Sequence, residues 1–496
     1  MTLHSQACRG APLAAPSFCL LLLATFLIAQ PVAATNPFTQ YANDFVNPTI
    51  AAAGQYATNL GGAQDTIVAW ANEMTSYGPW SVTNKSVLAP SGDKHDYMSW
   101  APYQWPDCSH AGNTTVLTPE QSNIRDHGPR VNLSNRVIVW KTCAYVFRDG
   151  QVNPDRTTIN DFQSFFNLSD AVLYNALSST FQNGSSSVYS QNVVKFVNTW
   201  FLDADTFMNP NLNYAQMERG PTGQTGDYTG VLDLRGFAKI ASGILILRKS
   251  GNTDWTSDVD SQMVAWCTKY INWLETAPTA KTAAAAKNNH GTFYVNQLAA
   301  IKLLVNDTAG AMTTGRGYFG GIYKNQIAAN GDQPMEASRS RPYHYRNFNI
   351  AGMITNARIL KYADPTSNDW NTTSNGSTIQ TAVDFLMTTN PAATSETNVT
   401  AEIYPNIAAV ASTYGDPTGK YVNFLNSSGF PYSQDATFLW DQPLAGGTPR
   451  ADAGGNSSTG SGGSTSKTPP SGAAMRPVLS AWGLTGVLLT LGWRLL

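Results

Sequence analysis

The sequence predicts an all-α protein whose helices form a toroid, and three observations predict it. Apolar residues recur at helical spacing: Phe237, Ile240, Ala241, Ile244 and Leu247 mark one face, with Gly251 standing where a C-terminal cap would. Long alternating patterns, the mark of half-buried strands, are scarce. Gly, Pro and Asn breaks such as Asn209-Pro210-Asn211 and Gly220-Pro221-Thr222-Gly223 separate the runs. Many helices joined by polar loops suggest a toroid in which the loops at one rim carry the chemistry. Periodicity alone does not count the hairpins.

In chain order, Arg9 precedes an apolar run from Phe18 to Ala29, followed by the small residues of Val32-Ala33-Ala34. A membrane span needs roughly 20 apolar residues, so residues 1–34 read as a secretory signal peptide. Residues 35–448 form the body, a length that holds one large domain or two smaller ones. Its further helical runs are Ile67 to Met74, Val193 to Phe201, Met263 to Leu274, Leu298 to Val305, Ile350 to Tyr362 and Ile379 to Met387. The stretch from Asn84 to Asp155 differs. It has little periodicity and holds Tyr97, Trp100, Tyr103 and Trp105. Long structureless segments in compact domains are usually functional; the alternative is a surface loop with a minor aromatic core.

Residues 449–472 are rich in Gly, Ser and Thr and read as a flexible stalk. Residues 473–496 follow with small residues, the short spacer Met475-Arg476-Pro477 and an apolar tail from Val478 to Leu496. This is the pattern of a glycolipid (GPI) attachment signal, with a spacer shorter than the roughly 8–12 residues expected. A retained single-span anchor is the rival, and Trp493 and Arg494 have no basic segment beyond them. Cys8 and Cys19 would leave with the signal peptide, so an oxidising compartment makes Cys108 and Cys143 the expected disulfide. Cys267 sits in an apolar helical run and reads as a buried free thiol. Eleven Asn-x-Ser/Thr sequons, including Asn113, Asn167, Asn306, Asn371 and Asn398, fit a glycosylated secreted chain. A net charge of −2 argues against general nucleic-acid binding, but a local basic cleft is still able to take an acidic polysaccharide.

Such a cluster lies between Lys287 and Arg346. It opens with Asn288-Asn289-His290-Gly291 and closes with Arg339-Ser340-Arg341-Pro342-Tyr343-His344-Tyr345. Only 13% of the chain is charged, so the three arginines at the cluster's close, Arg339, Arg341 and Arg346, stand out beside two histidines, amides and phenols. Together they can grip a carboxylate and move a proton beside it. No Cys/His spacing suggests a zinc site.

Several motifs resemble those of the alginate-lyase-like superfamily, in the same order. They are Tyr97-x-Ser99-x-Ala101-Pro102-Tyr103-x-Trp105-Pro106-Asp107, then Arg148-Asp149-Gly150-x-x-Asn153-Pro154, then Asn209 through Gln216. Asp233-x-Arg235-Gly236-Phe237, Asn288-Asn289-His290 and Arg339-x-Arg341-x-x-His344-Tyr345 complete the set. The match spans nearly the whole body. It looks closest to polysaccharide lyase family thirty-eight, which includes glucuronan and alginate lyases, with family five more distant. The resemblance implies an (α/α) toroid, an incomplete barrel of about seven helical hairpins, with the cleft across its rim.

What it implies chemically is β-elimination. The proton at C5 of a uronate becomes removable once its carboxylate is neutralised and the developing enolate is held. Asn289 and His290 would donate to the carboxylate, with Arg339 or Arg341 adding charge. Tyr345 would act as base and then acid where both groups lie on one side, with Arg339 helping it ionise; His290 would be the base where they do not. Arg341, His344, Tyr97, Tyr103, Trp105, Asn213, Gln216 and Asn288 would line the substrate cleft, the aromatics stacking on sugars. The scheme needs no metal or cofactor. Read as residues alone, Asn288 is also a helix cap and Tyr343-His344-Tyr345 also a set of core aromatics with polar tips. Two other functions are open: a glycoside hydrolase using two of Asp96, Glu218, Asp332 and Glu336, or an inactive glycan-binding surface protein.

Overall fold

A helix that is apolar on every side has to be surrounded, and that rule sorts the helices of this chain into two circles. The structure is a computed structural model describing residues 45–54, 62–107, 143–181, 186–220 and 224–441, all within one unit, Thr35–Leu496. Its α-helices, in order, are α1 (Pro48–Ala53), α2 (Ala63–Tyr77), α3 (Asp161–Thr180), α4 (Val188–Val197), α5 (Phe237–Lys249), α6 (Ser257–Thr276), α7 (Pro278–Ala285) and α8 (Asn289–Leu304). Then come α9 (Thr308–Gly320), α10 (Pro334–Ala337), α11 (Pro342–Ala363), α12 (Ile379–Met387), α13 (Ile403–Tyr414), α14 (Lys420–Ser427) and α15 (Thr437–Trp440). In α3, 16 of 20 residues are buried and in α8, 14 of 16, whereas α6 buries 5 of 20. The first two belong inside and the last outside.

The inner helices α2, α3, α5, α8, α11 and α13 pack in succession, and α15 touches both α13 and α2, closing the circle. Outside them α4 backs α3, α6 backs α8, α9 wedges against α8 and α11, α12 against α11 and α13, and α14 against α13. The expected toroid is therefore present, with six long inner helices and one short one among the described residues. One end is stopped by the segment before α1. Val46 N–H donates to Ser242 Oγ (3.1 Å), the Ser242 hydroxyl donates back to Val46 O (2.7 Å), and Phe45 packs on Tyr362. At a rise of 1.5 Å per residue, Tyr362 lies about 25 Å along α11 from Tyr345. The open rim is at the other end.

The aperiodic stretch from Asn84 builds that rim. It supplies β1 (Met98–Trp100), β2 (Gln104–Asp107) and β3 (Ala144–Phe147), and a fourth strand, β4 (Tyr214–Met217), comes later. Strands β1 and β4 pair in parallel; β2 and β3 pair antiparallel from Gln104↔Phe147 to Asp107↔Ala144. Beneath them Asp233, fully buried, accepts from Tyr97 Oη (3.1 Å), Ser99 Oγ, Gln216 Nε2 (2.8 Å) and Arg156 Nη2 (3.3 Å). A buried carboxylate is tolerated when it is paired and hydrogen-bonded, as here. This node joins three of the motifs that run far apart in the chain.

Cys267 is a buried free thiol, and burial pushes its thiol up from its ordinary value. Cys143 is fully buried and disulfide-bonded; the partner expected for it, Cys108, lies outside the described residues. So do the signal peptide, the stalk, the GPI signal and Asn113. Of the sequons named above, Asn306, Asn371 and Asn398 are exposed. Asn167 is not: it is 8% exposed within α3, and its Oδ1 accepts from Gln163 Nε2 (2.9 Å). The folded chain has no room for a glycan there, because α3 is surrounded.

Candidate active site

Asn289 and His290 are set by the way α8 begins. Asn288 is its N-cap, extended at φ −103°, ψ −163°, with Oδ1 accepting from His290 N–H at 3.3 Å. Gly291 allows the turn to close: a Cβ there would lie 2.1 Å from the Ala286 carbonyl oxygen. The result is an amide and an imidazole side by side at the N-terminus of a 16-residue helix, where the macrodipole favours an anion. Asn289 is fully buried, its backbone N–H and Nδ2 both donating to Glu336 at 2.8 and 2.7 Å. His290 packs edge-on to Tyr228, and its Nδ1 is buried with no hydrogen-bond partner among the described residues.

Tyr345 is set by the start of α11. Pro342 occupies its first position, and the Glu396 carboxylate caps it, accepting from Tyr343 N–H (2.9 Å) and His344 N–H (3.0 Å). The Tyr345 hydroxyl meets the Tyr103 hydroxyl at 2.6 Å and accepts from Arg339 Nη2 at 2.9 Å. Arg339 also lies over the Tyr345 ring, 3.8 Å from its centroid. Its other donors go to Asp149: Nη2 to Oδ1 at 2.5 Å and Nε to Oδ2 at 3.2 Å. Ser340 N–H adds a third bond to Asp149 at 2.9 Å. Gly150 makes this approach possible, since it holds φ +71° and a Cβ would sit 2.3 Å from Ser340 Oγ. Tyr103 precedes β2 and Asp149 follows β3, so one two-stranded ribbon delivers both groups.

The electrostatics follow. Burial, with a contribution from the Arg339 charge, lowers His290 to about 4, so at neutral pH it is an uncharged imidazole. Burial also drives the Tyr345 phenol well above its ordinary value; Tyr103 adds to this, and the pull of Arg339 does not offset it. The help expected from Arg339 is real in sign but outweighed in the resting site. Against the effect of burial, the bonds from Arg339 and Ser340 hold Asp149 down at about 2. The cleft at this rim has a volume of about 410 Å³, and Tyr103, Asn288, Asn289, His290, Arg339 and Tyr345 all line it.

A family model for alginate lyase matches residues 81–396, well over half of the chain. The chain belongs to the alginate lyase family. It is similar to the crystal structure of an alginate lyase from Bacteroides ovatus, at 26% identity and a TM-score of 0.63, over 79% of this chain and 96% of that one. No curated protein matches it. As a member of this family the chain is a polysaccharide lyase.

The lyase fold gathers some of the expected residues and sends others elsewhere. His344 lines the cleft but is held, its Nδ1 bonded to Glu402 (2.8 and 2.9 Å) and its ring stacked on Phe348. Gln216 reaches the cleft with φ +43°, yet its amide is spent on Asp233 and on Thr229 (2.9 Å). Four expectations are corrected. Tyr97 is 1% exposed and belongs to the Asp233 node, because its ring is needed in the core. Trp105 is off the cleft wall, with Nε1 bonded to Gln151 O (2.8 Å) and Arg148 over its ring. Asn213 faces outward and accepts from Trp273 Nε1 at 2.8 Å. Arg341 is also off the wall, its Nη2 buried with no hydrogen-bond partner among the described residues, and Arg339 is the arginine at the tyrosine.

Residue types alone gave Asp149 and Arg235 no role, and gave Glu336 only that of a hydrolytic acid. Asp149 stood inside a quoted motif, but its partner 190 residues away is a tertiary fact. Arg235 lines the cleft against the rings of Phe166 and Phe348. Among the described residues, no group of three or more His, Cys, Asp or Glu is placed to hold a metal ion.

Proposed function

We propose that this lyase cleaves a β-1,4-linked polyuronate, glucuronan or mannuronate-rich alginate, by β-elimination, as a member of polysaccharide lyase family thirty-eight. The observation that carries this is the three-way meeting of Tyr345, Tyr103 and Arg339 in the cleft that Asn289 and His290 also line. Asn289 and His290 hold the uronate carboxylate at the positive end of α8. Tyr345 removes the C5 proton, the C4–O4 bond breaks as the C4=C5 double bond forms, and Tyr345 returns the proton to O4. Arg339 and Tyr103, both on the Tyr345 oxygen, stabilise the phenolate when it forms. On a polymer whose C5 proton and O4 lie on opposite faces, neutral His290 is the base and Tyr345 the acid.

The carboxyls weighed for hydrolysis support the lyase reading. Asp96 is bonded by Ser91 and Asn209, Asp332 by Arg346, and Glu336 by Asn289. Only Glu218 of the four lines the cleft, so no facing pair forms among them. Purified protein given defined polyuronates is expected to release products with an unsaturated, ultraviolet-absorbing end. Products with saturated reducing ends would overturn the proposal.

The end signals, the sequons and the Cys108–Cys143 pair support a secreted glycoprotein held at the outer cell surface by GPI. A GPI-cleaving phospholipase is expected to release it from cells. Quantitative retention, with the Val478–Leu496 tail found intact, would refute the anchor.

A further inference from the structure

Glu336 lies in the four-residue α10, is 1% exposed, and does not line the cleft. Its carboxylate nevertheless fixes a residue that does. Oε1 accepts the backbone N–H of Asn289 at 2.8 Å and Oε2 accepts its Nδ2 at 2.7 Å. A carboxylate only accepts, and of the two ends of an amide only the nitrogen donates. The Asn289 amide can therefore sit one way round: Nδ2 toward Glu336 and Oδ1 away from it. Oδ1 is buried with no hydrogen-bond partner among the described residues. One Nδ2 hydrogen also remains after the bond to Glu336.

We infer that Glu336 is a positioning residue that sets the polarity of Asn289, keeping one N–H for the uronate carboxylate. Without it the amide is free to turn over, exchanging donor for acceptor where the carboxylate must be held. The same short helix ties this to the other half of the site, since Glu336 O accepts the Arg339 backbone N–H at 3.3 Å. Glu336 thus relates Asn289 to the arginine on Tyr345. The inference rests on the lyase reading above.

A double-mutant cycle tests it on whichever polyuronate the wild-type protein cleaves. Glu336→Gln keeps the size of the side chain but places an N–H donor where a carboxylate oxygen stood. Its kcat is expected to fall about 10²-fold, the scale of losing one preorganised donor, with KM changed little and the melting temperature retained. Asn289→Ala is expected to lose a similar factor, and the double variant no more than Asn289→Ala alone. Multiplying losses, or a Glu336→Gln enzyme with near-normal kcat, would overturn the inference. If Glu336→Gln melts early, the cycle is run with Glu336→Asp, which keeps an acceptor: a non-additive double again supports the inference and a multiplicative one overturns it. Wild-type protein giving saturated products would remove the lyase reading and this inference with it. An active wild type with multiplying losses would remove this inference alone.

Discussion

Tyr345→Phe is expected to lower kcat by at least roughly 10²–10⁴-fold, the contribution typical of a general acid–base group, while the affinity for oligouronate stays within a few-fold. The ring packs beside Phe293 and Phe348, and phenylalanine preserves that packing. What it removes is the oxygen on which Arg339 and Tyr103 converge. The pH profile adds a second readout. Because the phenol is raised above its ordinary value, the resting enzyme holds it protonated, and the fraction able to act as base grows with pH. The wild-type kcat/KM on glucuronan or mannuronate-rich alginate should therefore climb on the alkaline side, up to the pH at which the fold is lost. Near-normal turnover by Tyr345→Phe in a single-turnover assay would remove this residue from the chemistry.

His290→Ala is expected to lower kcat/KM by about 10²–10³-fold on every polyuronate, as loss of a preorganised donor does, and to abolish activity where the imidazole is also the base. Its acid limb carries a distinct signature. With the ring at about 4 rather than its ordinary 6.5, His290 stays neutral until the pH approaches 4, and any inactivation caused by its protonation should appear there. The sign for stability follows. Between pH 6.5 and 4 the unfolded chain binds a proton at this site that the folded chain refuses, so stability rises with pH across that window. An acid limb at 6.5 that disappears in His290→Ala would contradict this environment for the ring.

The inner helices α2, α5, α8 and α11 were legible because each carries a run of apolar residues at a helical period, and that signal does not depend on what surrounds them. Helices α3 and α13 carried no expected run, and in α3 buried polar residues such as Asn167, Ser169, Asp170 and Asn175 break the apolar pattern. The rim was not legible either. Its strands are three or four residues long, and their pairing joins segments far apart in the chain. The same limit governed the site. The ordered resemblance singled out Asn289, His290 and Tyr345 and left the arginine open between Arg339 and Arg341, and Tyr97 and Trp105 could not be told from cleft aromatics. Both are rings within one motif, and only burial and the Asp233 node separate a core ring from an exposed one. Glu336 was weighed as a hydrolytic acid because a carboxyl in sequence carries no sign of whether it meets a substrate or a backbone N–H.

The β2–β3 ribbon also bears on how such an enzyme changes over time. Its four paired positions, from Gln104↔Phe147 to Asp107↔Ala144, fix the spacing between the residue that precedes it, Tyr103, and the residue that follows it, Asp149. Arg148 N–H donating to Tyr103 O at 2.8 Å clamps the open end of the ribbon beside Tyr345. The spacing of Tyr103 and Asp149 is therefore set by the paired strands themselves, and the length of the connection that joins them enters only as closure entropy, about 0.6 kcal/mol for each doubling. Change in the length of that connection is thereby uncoupled from the spacing of the two groups that hold Tyr345 and Arg339.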